Sequence, residues 1–346
     1  MNAITNNSNI PLALAVWLVN DEYDYINEPN YISATKLMKP TKQVIMASRV
    51  PPEAMEQDVE DFISRALGHA IHDSMEKAWK VGYRTNLKKL GYPDKVIDRV
   101  IINPTDEQLD AMPDAIPVFL EQRMFRRHRG YIIGGKFDAI TDGIINDTKS
   151  TSAWAAAFGS KDDSYQEQGS IYRWLDAEGF TDVSCEPEYR FRPRVTEDFM
   201  RVNWVFTDWQ KAQAKQNQAY PQRRVAQKEI NLLSIEEGEA FINRKLDALS
   251  RFKDAPEGEI PECTREELWM SDPKYKFYKD PAKANQPGAR STKNFDCPAE
   301  ASRFQQEKHG GQGVIVTIES EPKACGYCAA FDICEQRKAL GAKRPE

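Results

Sequence analysis

The segment from Gly130 to Thr151, GYIIGGKFDAITDGIINDTKST, constrains the fold of this chain more than any other part of the sequence. Two apolar stretches flank a Thr-Asp-Gly sequence, and this arrangement is typical of a β-hairpin. We expect Asp142 and Gly143 to form a two-residue turn. Since turn length sets the register of a hairpin, this choice also determines which residues of the two strands face each other.

With that turn, Asp138 lies opposite Asp147, and Lys136 lies opposite Lys149. Residues two apart on a strand share a face, so Asp138, Asp147 and Lys149 project from one side of the sheet. Carboxylates facing each other across a strand pair are about 5 Å apart and repel each other. A divalent cation such as Mg²⁺ or Mn²⁺ would offset this repulsion, because both prefer oxygen ligands. Two carboxylates and a lysine around one point predict metal-dependent phosphodiester hydrolysis.

A helical pattern of apolar residues runs from Pro52 to Lys80, ahead of the hairpin. Gly68, His72 and Glu76 fall on one face of this helix at four-residue steps. A lone histidine here is more often a helix residue with a satisfied hydrogen bond than a metal ligand. If one of the two histidines does bind a metal, the spacing from Gly68 favours His72 over the competing His69. Glu76 either accepts a hydrogen bond from His72 or is an ordinary surface residue.

Four arginines stand directly before the hairpin: Arg123, Arg126, Arg127 and Arg129. A basic run of this kind is either a solvated face or a set of phosphate contacts, and phosphate contacts make binding sensitive to salt. We therefore treat the four as candidate DNA-binding residues. Glu121 comes just before the run and is a candidate further acidic member of the metal site.

The cysteines give a second signal near the C-terminal end. Three of them have the spacing C-x2-C-x5-C, at positions Cys325, Cys328 and Cys334. Four thiolates are needed to complete a zinc or iron–sulfur site, and both kinds of site accept four cysteines. We assign Cys263 as the fourth ligand, with Cys297 as the alternative, and expect Cys185 to be buried in a strand. Unligated thiols remain the competing interpretation.

Composition restricts the class of protein. The chain has 346 residues, of which 40% are hydrophobic and 29% charged, and its net charge is −6. These values are ordinary for a soluble globular protein. The apolar run Pro11 to Val19 is too short to span a bilayer and lacks a preceding basic region, so we expect a cytoplasmic protein with no membrane association. We expect residues 1–30 to form a segment of unassigned role, 31–255 the catalytic core, and 256–346 a cysteine-containing lobe.

Four short motifs occur in a fixed order along the chain. They are Gly68-x-x-x-His72, Gly135-Lys-Phe-Asp138, Asp147-Thr-Lys149 and Gln168-x-x-x-Tyr172. This series resembles the RecB-type branch of the PD-(D/E)xK nuclease superfamily. That branch includes the nuclease domains of RecB and AddB, CRISPR-associated RecB-like exonucleases and many bacteriophage exonucleases. The proline of the family name is absent here, since Phe137 precedes Asp138, a departure common in the RecB branch.

The resemblance implies an α/β fold with a restriction-endonuclease-like core, in which a central mixed sheet is flanked by helices. It implies that Mg²⁺ or Mn²⁺ is bound by His72, Asp138, Asp147 and the backbone carbonyl of Thr148. Lys149 would then assist the attacking water. Gln168 and Tyr172 would hold the site and the DNA backbone.

The AddB and CRISPR-associated groups carry a similar C-x2-C-x5-C and one distant cysteine, which bind a [4Fe-4S] cluster. Their distant cysteine precedes the nuclease core, whereas here no cysteine precedes Cys185. The resemblance implies a [4Fe-4S] cluster that ties the C-terminal lobe to the core, with Zn²⁺ as the alternative.

The function it implies is an exonuclease of phage or prokaryotic DNA recombination, repair or replication, with DNA and a recombination or replication protein as partners. If the protein is phage-encoded, it would act in the host cytoplasm. A non-cleaving DNA-binding accessory protein and a CRISPR-adaptation nuclease subunit are the alternatives.

Overall fold

The computed structural model describes residues 4–21, 25–51, 57–157, 161–178, 181–182, 189–190, 192–284, 286 and 288–344. The chain forms two compact units. The first comprises Met1–Lys39 with Glu53–Ala248, and the second comprises Pro40–Pro52 with Leu249–Glu346. The second unit thus contains a short segment from the N-terminal part of the chain, which the sequence-based boundaries did not include. The roles assigned to the predicted domains stay predictions.

The elements of the first unit are numbered in chain order over the whole protein. Its strands are β1 (Ile4–Thr5), β2 (Tyr31–Ser33), β3 (Gln57–Asp58), β4 (Val100–Ile102), β5 (Ile116–Leu120), β6 (Arg123–His128), β7 (Tyr131–Lys136), β8 (Ala139–Thr141), β9 (Ile144–Thr151), β10 (Thr181–Asp182), β11 (Tyr189–Arg190), β12 (Phe199–Phe206) and β13 (Val225–Asn231). Its helices are α1 (Leu12–Leu18), α2 (Ala34–Met38), α4 (Ile63–Lys89), α5 (Asp94–Ile97), α6 (Asp106–Ala111), α7 (Ala153–Ala157), α8 (Asp162–Asp176), α9 (Lys211–Gln216) and α10 (Ile235–Phe252), whose last turn enters the second unit.

The second unit contains the remaining elements. They are α3 (Thr41–Ser48), β14 (Lys274–Tyr278), α11 (Pro281–Ala284), β15 (Lys293–Phe295), α12 (Pro298–His309), β16 (Val314–Ile318), α13 (Lys323–Gly326) and α14 (Glu335–Ala339). Short 3₁₀ turns cover Val59–Phe62 in the first unit and Glu257–Glu259 in the second.

A six-stranded mixed sheet stands at the centre of the first unit, in the order β13-β12-β9-β8-β5-β4. Its β9–β12 and β4–β5 pairs are parallel and the others antiparallel. A second sheet has the order β11-β10-β6-β7-β2. Helix α8 packs on strands of both sheets and buries Ile171, Trp174 and Leu175. The expected mixed α/β class, with a central mixed sheet flanked by helices, is confirmed.

The hairpin has the predicted turn and register. Thr141 pairs with Ile144, and Ala139 pairs with Asn146. Asp142 and Gly143 have φ angles of 54° and 72°. Two successive residues with positive φ define a type I′ turn, whose twist matches that of the flanking strands.

The strand before the turn is shorter than expected, because the chain changes sheets at Phe137 and Asp138. Strand β7 belongs to the five-stranded sheet and β8 to the six-stranded one. Lys136 pairs with Arg123 on β6. The predicted opposition of Lys136 and Lys149 is therefore wrong, since these residues lie on strands of different sheets.

The chain also changes sheets between β5 and β6, beside the bend at Phe137 and Asp138. Strand β5 ends at Leu120, and β6 starts at Arg123 in the other sheet. Glu121 has a φ of 51° at the break. The Glu121 N–H donates to the Asp138 carbonyl at 3.0 Å, and the Phe137 N–H donates to that of Gln122 at 3.3 Å. These bonds keep the two bends side by side.

Helix α4 begins later than the sequence pattern indicated. Asp58 caps the preceding 3₁₀ turn in a reciprocal arrangement with Asp61, and the α-helix runs from Ile63 to Lys89. Residues 52–56 lie outside the described part of the chain. Among the described residues, no helix combines the length and apolar character needed to cross a bilayer.

The second unit contains a three-stranded antiparallel sheet in the order β15-β14-β16. Phe277 and Phe295 on one face pack with Ala301 and Phe304 of α12. A separate cluster joins Ile45 and Met46 of α3 to later parts of the same unit. The helix at residues 41–48 is thus part of this core.

We predict that Gly143→Ala destabilises the protein by about 2 kcal/mol, because a non-glycine residue at positive φ is strained. A Cβ at this position would also lie 1.9 Å from Thr196 Oγ1. Gly258→Ala is the matched control, since a Cβ there meets no atom within 4 Å. Urea denaturation of the two variants and wild type measures the effect. Equal midpoints for Gly143→Ala and wild type would contradict the proposed turn geometry.

Candidate metal centre and cysteine-lined cavity

Three side chains that can bind a metal converge where the two strands change sheets. One ligand atom from each of His72, Glu121 and Asp138 lies within 4.8 Å of the other two. His72 Nδ1 is 3.7 Å from Glu121 Oε1 and 3.5 Å from Asp138 Oδ2. The structure therefore brings together two of the predicted ligands and adds Glu121, which the sequence marked only by its position before the arginines.

Asp147 and Lys149 form an ion pair on the adjacent strand β9. Lys149 Nζ donates to Asp147 Oδ1 at 2.9 Å. The other oxygen, Asp147 Oδ2, is buried and has no hydrogen-bond partner among the described residues. A buried oxygen without a partner costs about 1–3 kcal/mol, which a bound cation would remove. The donor set of His72, Glu121 and Asp138 fits Mg²⁺ or Mn²⁺, whereas Asp147, also predicted as a ligand, lies outside that compact group.

A backbone contact links the two aspartates. The Thr148 N–H donates to Asp138 Oδ2 at 2.7 Å, which holds the Asp138 carboxylate against strand β9. The role of the Thr148 carbonyl as a metal ligand stays a prediction.

Burial and like charge dominate the electrostatics of the centre. Burial, together with the charge of Asp147, raises the pKa of Asp138 to about 6. A hydrogen bond with Glu121 raises the pKa of His72 against the opposing effect of burial. Burial would raise the pKa of Glu121, but hydrogen bonds from His72 and Lys136 outweigh it and lower that pKa. The centre is therefore short of positive charge.

Lys149 is held in its charged form. Burial alone would lower the pKa of this lysine, but the charge and hydrogen bond of Asp147, and then the charge of Asp138, raise it above its ordinary value. Because a charged ammonium group cannot accept a proton, Lys149 in this state can orient a water molecule but cannot deprotonate it.

Gln168 and Tyr172 support the bend from helix α8. Tyr172 Oη donates to the backbone carbonyl of Lys136 at 3.0 Å, and Gln168 Nε2 donates to Tyr172 Oη at 3.1 Å. The Tyr172 ring lies over Gly135, where an added Cβ would come within 2.5 Å of it. Both side chains are buried, so these contacts hold the site. Their predicted contact with DNA stays a prediction.

The other residues of the predicted histidine motif have smaller roles. His69 borders a cavity beside the centre but is not part of the ligand group. Glu76 pairs with Lys80 on the same helix. A Cβ at Gly68 would lie 3.9 Å from Ser150 Oγ, an ordinary van der Waals contact, so no described backbone atom approaches this glycine closely.

The four arginines do not form one patch. Arg126 donates to the Trp174 carbonyl at 2.9 Å, and its guanidinium lies 4.0 Å from the centre of the Trp174 ring. Arg129 pairs with Asp247 at 2.7 Å. Arg123 borders the cavity at the metal centre, and Arg127 is exposed. Because side chains alternate between the two faces of a strand, arginines that are adjacent in sequence point to opposite faces of the sheet. Of the four arginines, Arg123 is the one that borders this cavity. DNA binding by the four stays a prediction.

Two cavities meet at the candidate centre, and His72, Glu121 and Asp138 border both. The larger has a volume of about 600 Å³ and is also bordered by Trp17 and Tyr31. The smaller has a volume of about 200 Å³. The ligand group is therefore in contact with both cavities.

Four cysteines border one cavity in the second unit. They are Cys263, Cys325, Cys328 and Cys334. Burial, together with the charges of Glu267 and the other three thiols, raises the pKa of Cys263 to about 12. Among the described residues, no three of these sulfurs lie within 4.8 Å of one another. Cys297 does not border this cavity.

Gln336 holds the Cys263 backbone in place, a contact that sequence spacing did not indicate. The Cys263 N–H donates to Gln336 Oε1 at 3.0 Å, and Gln336 Nε2 donates to the Cys263 carbonyl at 2.8 Å. The five described cysteines are all free thiols. Cys185, predicted to be buried, lies outside the described residues.

Comparisons with known proteins give limited information. No protein-family model matches the chain, and no curated protein matches it. A solved structure titled "Crystal structure of SSO0001" is similar, with 18% sequence identity and a TM-score of 0.40. The similarity covers 70% of this chain and 86% of that one.

We predict that Asp138→Asn makes the metal-free protein more stable at pH 8, by about 1–2 kcal/mol, because it removes a buried charge facing Asp147. The folded-state pKa is raised to about 6 from an ordinary 3.8. The wild-type penalty is therefore complete above pH 6 and disappears as the pH falls toward 3.8. Melting temperatures in a chelator across this range test the prediction, with Asp272→Asn as the exposed control.

Bound metal should reverse the order of stability of wild type and Asp138→Asn. Mn²⁺ should raise the melting temperature of wild type, because a ligand that binds only the folded state stabilises it. Asp138→Asn should show a much smaller rise. A variant that is less stable than wild type in chelator at pH 8 would contradict the described electrostatics.

Proposed function

We propose that this protein is a Mg²⁺- or Mn²⁺-dependent deoxyribonuclease that acts as an exonuclease in phage or prokaryotic DNA recombination, repair or replication. The observation that carries the proposal is the convergence of His72, Glu121 and Asp138 beside the Asp147–Lys149 pair. This set contains a metal-binding group and a fixed positive charge at one place. Hydrolysis of a phosphodiester needs both.

The metal would be held by His72, Asp138 and Asp147, with Glu121 as a further oxygen ligand. When bound, the ion supplies an activated water and stabilises negative charge on the phosphate. The unpaired Asp147 Oδ2 supports its place in this set, because that oxygen is buried without a partner among the described residues.

The protein's own residues position the reacting groups. Lys149 places an ammonium group beside Asp147, where it can stabilise charge that develops on the phosphate oxygens. The water oxygen bonds to phosphorus while the bond to the leaving sugar oxygen breaks. Tyr172, bonded to the Lys136 carbonyl, keeps the bend that carries Asp138 in position.

The larger cavity is suited to a DNA strand. Trp17 and Tyr31 border it, and bases stack on aromatic rings with little dependence on sequence. Arg123 borders the same cavity and supplies a cation for a phosphate. The smaller cavity, which the same ligand group borders, has about a third of that volume. An exonuclease releases short fragments from a DNA end, and we assign the smaller cavity to the leaving fragment.

We further propose that the cysteine-lined cavity holds a [4Fe-4S] cluster. The proposal is supported by the C-x2-C-x5-C spacing and by the place of Cys263 on the same cavity as the other three thiols. Zn²⁺ is the alternative occupant, because it also accepts four thiolates. The role would be structural, because ligation of Cys263 with Cys325 would close a long loop within the second unit.

We predict that Lys149→Ala and Asp138→Ala each reduce cleavage of end-labelled linear DNA by about 100-fold or more, since each removes charge that acts in the transition state. Chelator should abolish wild-type cleavage, and Mg²⁺ or Mn²⁺ should restore it. Lys211→Ala, an exposed lysine, is the matched control and should cleave like wild type. Equal degradation by all variants would exclude this centre as the active site.

We predict that Cys263→Ser loses the bound metal while Cys297→Ser retains it, because only Cys263 borders the cavity with the other three thiols. Protein purified without oxygen should show the broad visible absorption of iron–sulfur clusters and contain iron. Stoichiometric zinc in a colourless protein would reject the cluster. Retention of metal by Cys263→Ser would reject the ligand assignment.

A further inference from the structure

The small sheet of the second unit carries an unusual excess of positive charge. We define the sheet lobe as residues 274–318, which include β14, α11, β15, α12 and β16. It contains eight Lys and Arg residues against four Asp and Glu, so its net charge is +4 in a chain whose net charge is −6. Such asymmetry indicates a local partner of opposite charge.

Most of these cations have no acidic partner. Lys274 pairs with Asp296, and Lys293 lies over the rings of Phe295 and Phe304. The other six form no ion pair with any described residue: Lys276, Lys279, Lys283, Arg290, Arg303 and Lys308. In the first unit, by contrast, Arg126 and Arg129 are paired. Unpaired cations keep their full attraction for a polyanion.

Four of the six lie on β14, on α11 or in the segments that adjoin these two elements. On β14, Lys276 points away from α12, because its neighbours Tyr275 and Phe277 pack on that helix. Lys279 follows the same strand, and its N–H donates to Thr292 Oγ1 at 3.0 Å. Thr292 in turn bonds Phe277 through its own N–H at 2.8 Å.

These contacts place the segment after α11 beside the end of β14. Arg290 lies two residues before Thr292, the residue that accepts the hydrogen bond from Lys279. Lys283 is on α11, which packs against β14 and β16. Lys279, Lys283 and Arg290 are exposed, and Lys276 is half-buried. We call these four residues the basic face of the lobe.

We infer that the basic face binds the phosphate backbone of DNA at a point separate from the metal centre. The identification of the polyanion as DNA rests on the proposed function. The excess of positive charge on the lobe does not depend on that function. Contacts to phosphates carry no direct sequence information, so this binding would be independent of sequence. Such a contact would hold the substrate between successive cleavage steps.

The test removes three of these charges in the full-length protein. The variant combines Lys276→Gln, Lys279→Gln and Lys283→Gln. A matched control combines Lys89→Gln, Lys95→Gln and Lys215→Gln, three exposed lysines of the first unit without an ion pair to any described residue. Both variants change the net charge equally. Fluorescence anisotropy measures binding of a labelled 30-base-pair duplex in chelator, over a range of salt concentrations.

The lobe variant should bind about tenfold more weakly, and its plot of log affinity against log salt should be shallower by about 2–3 units, since each lost phosphate contact removes about 0.9. The control variant should bind like wild type. Equal affinity and slope for the two variants would overturn the inference. Thermal melting should show that both variants are folded.

Cleavage assays separate this inference from the proposed function. If wild type cleaves DNA and the lobe variant matches the control in binding, the lobe inference fails and the nuclease proposal stands. If the lobe variant loses binding but wild type never cleaves with Mg²⁺ or Mn²⁺, the lobe inference stands and the nuclease proposal fails. A wild type that neither binds nor cleaves DNA would overturn both.

Discussion

The candidate centre depends on one backbone arrangement, in which two neighbouring strands leave one sheet and enter another at the same level. The hydrogen bond from Glu121 N–H to the Asp138 carbonyl, at 3.0 Å, keeps the two bends together. Both bends carry a carboxylate, and helix α4 places His72 against them. A straight hairpin would have left these groups on one extended sheet face, so the bend itself creates the ligand group.

The same bend costs electrostatic free energy, because it buries a carboxylate near a second one. Asp138 is largely buried near Asp147, and its pKa rises to about 6. Lys149 offsets part of the charge of Asp147, and His72 and Lys136 offset that of Glu121. The compensation is incomplete, since one Asp147 oxygen has no partner among the described residues. A site that is short of positive charge in this way is prepared for a cation, because binding would remove a cost that folding has already incurred.

Helix α8 keeps this costly arrangement in place. Tyr172 reaches the Lys136 carbonyl and lies against Gly135, while Gln168 bonds the tyrosine hydroxyl. In the second unit Gln336 has a similar role, bonding both backbone polar groups of Cys263. In both places a buried amide fixes a group that carries proposed ligands. The roles of these supporting residues are visible only in the folded chain, although the order of the motifs did mark Gln168 and Tyr172.

The sequence by itself determined the features that depend on local geometry. Asp142-Gly143 specifies its turn because few residues accept two successive positive φ angles, and the turn then determines the register of β8 and β9. The tertiary structure alone decided where strands change sheets, which made the predicted Lys136–Lys149 opposition wrong and brought Glu121 to the centre. It also separated the arginines that adjoin in sequence. These outcomes follow from packing between distant segments, which no local spacing encodes.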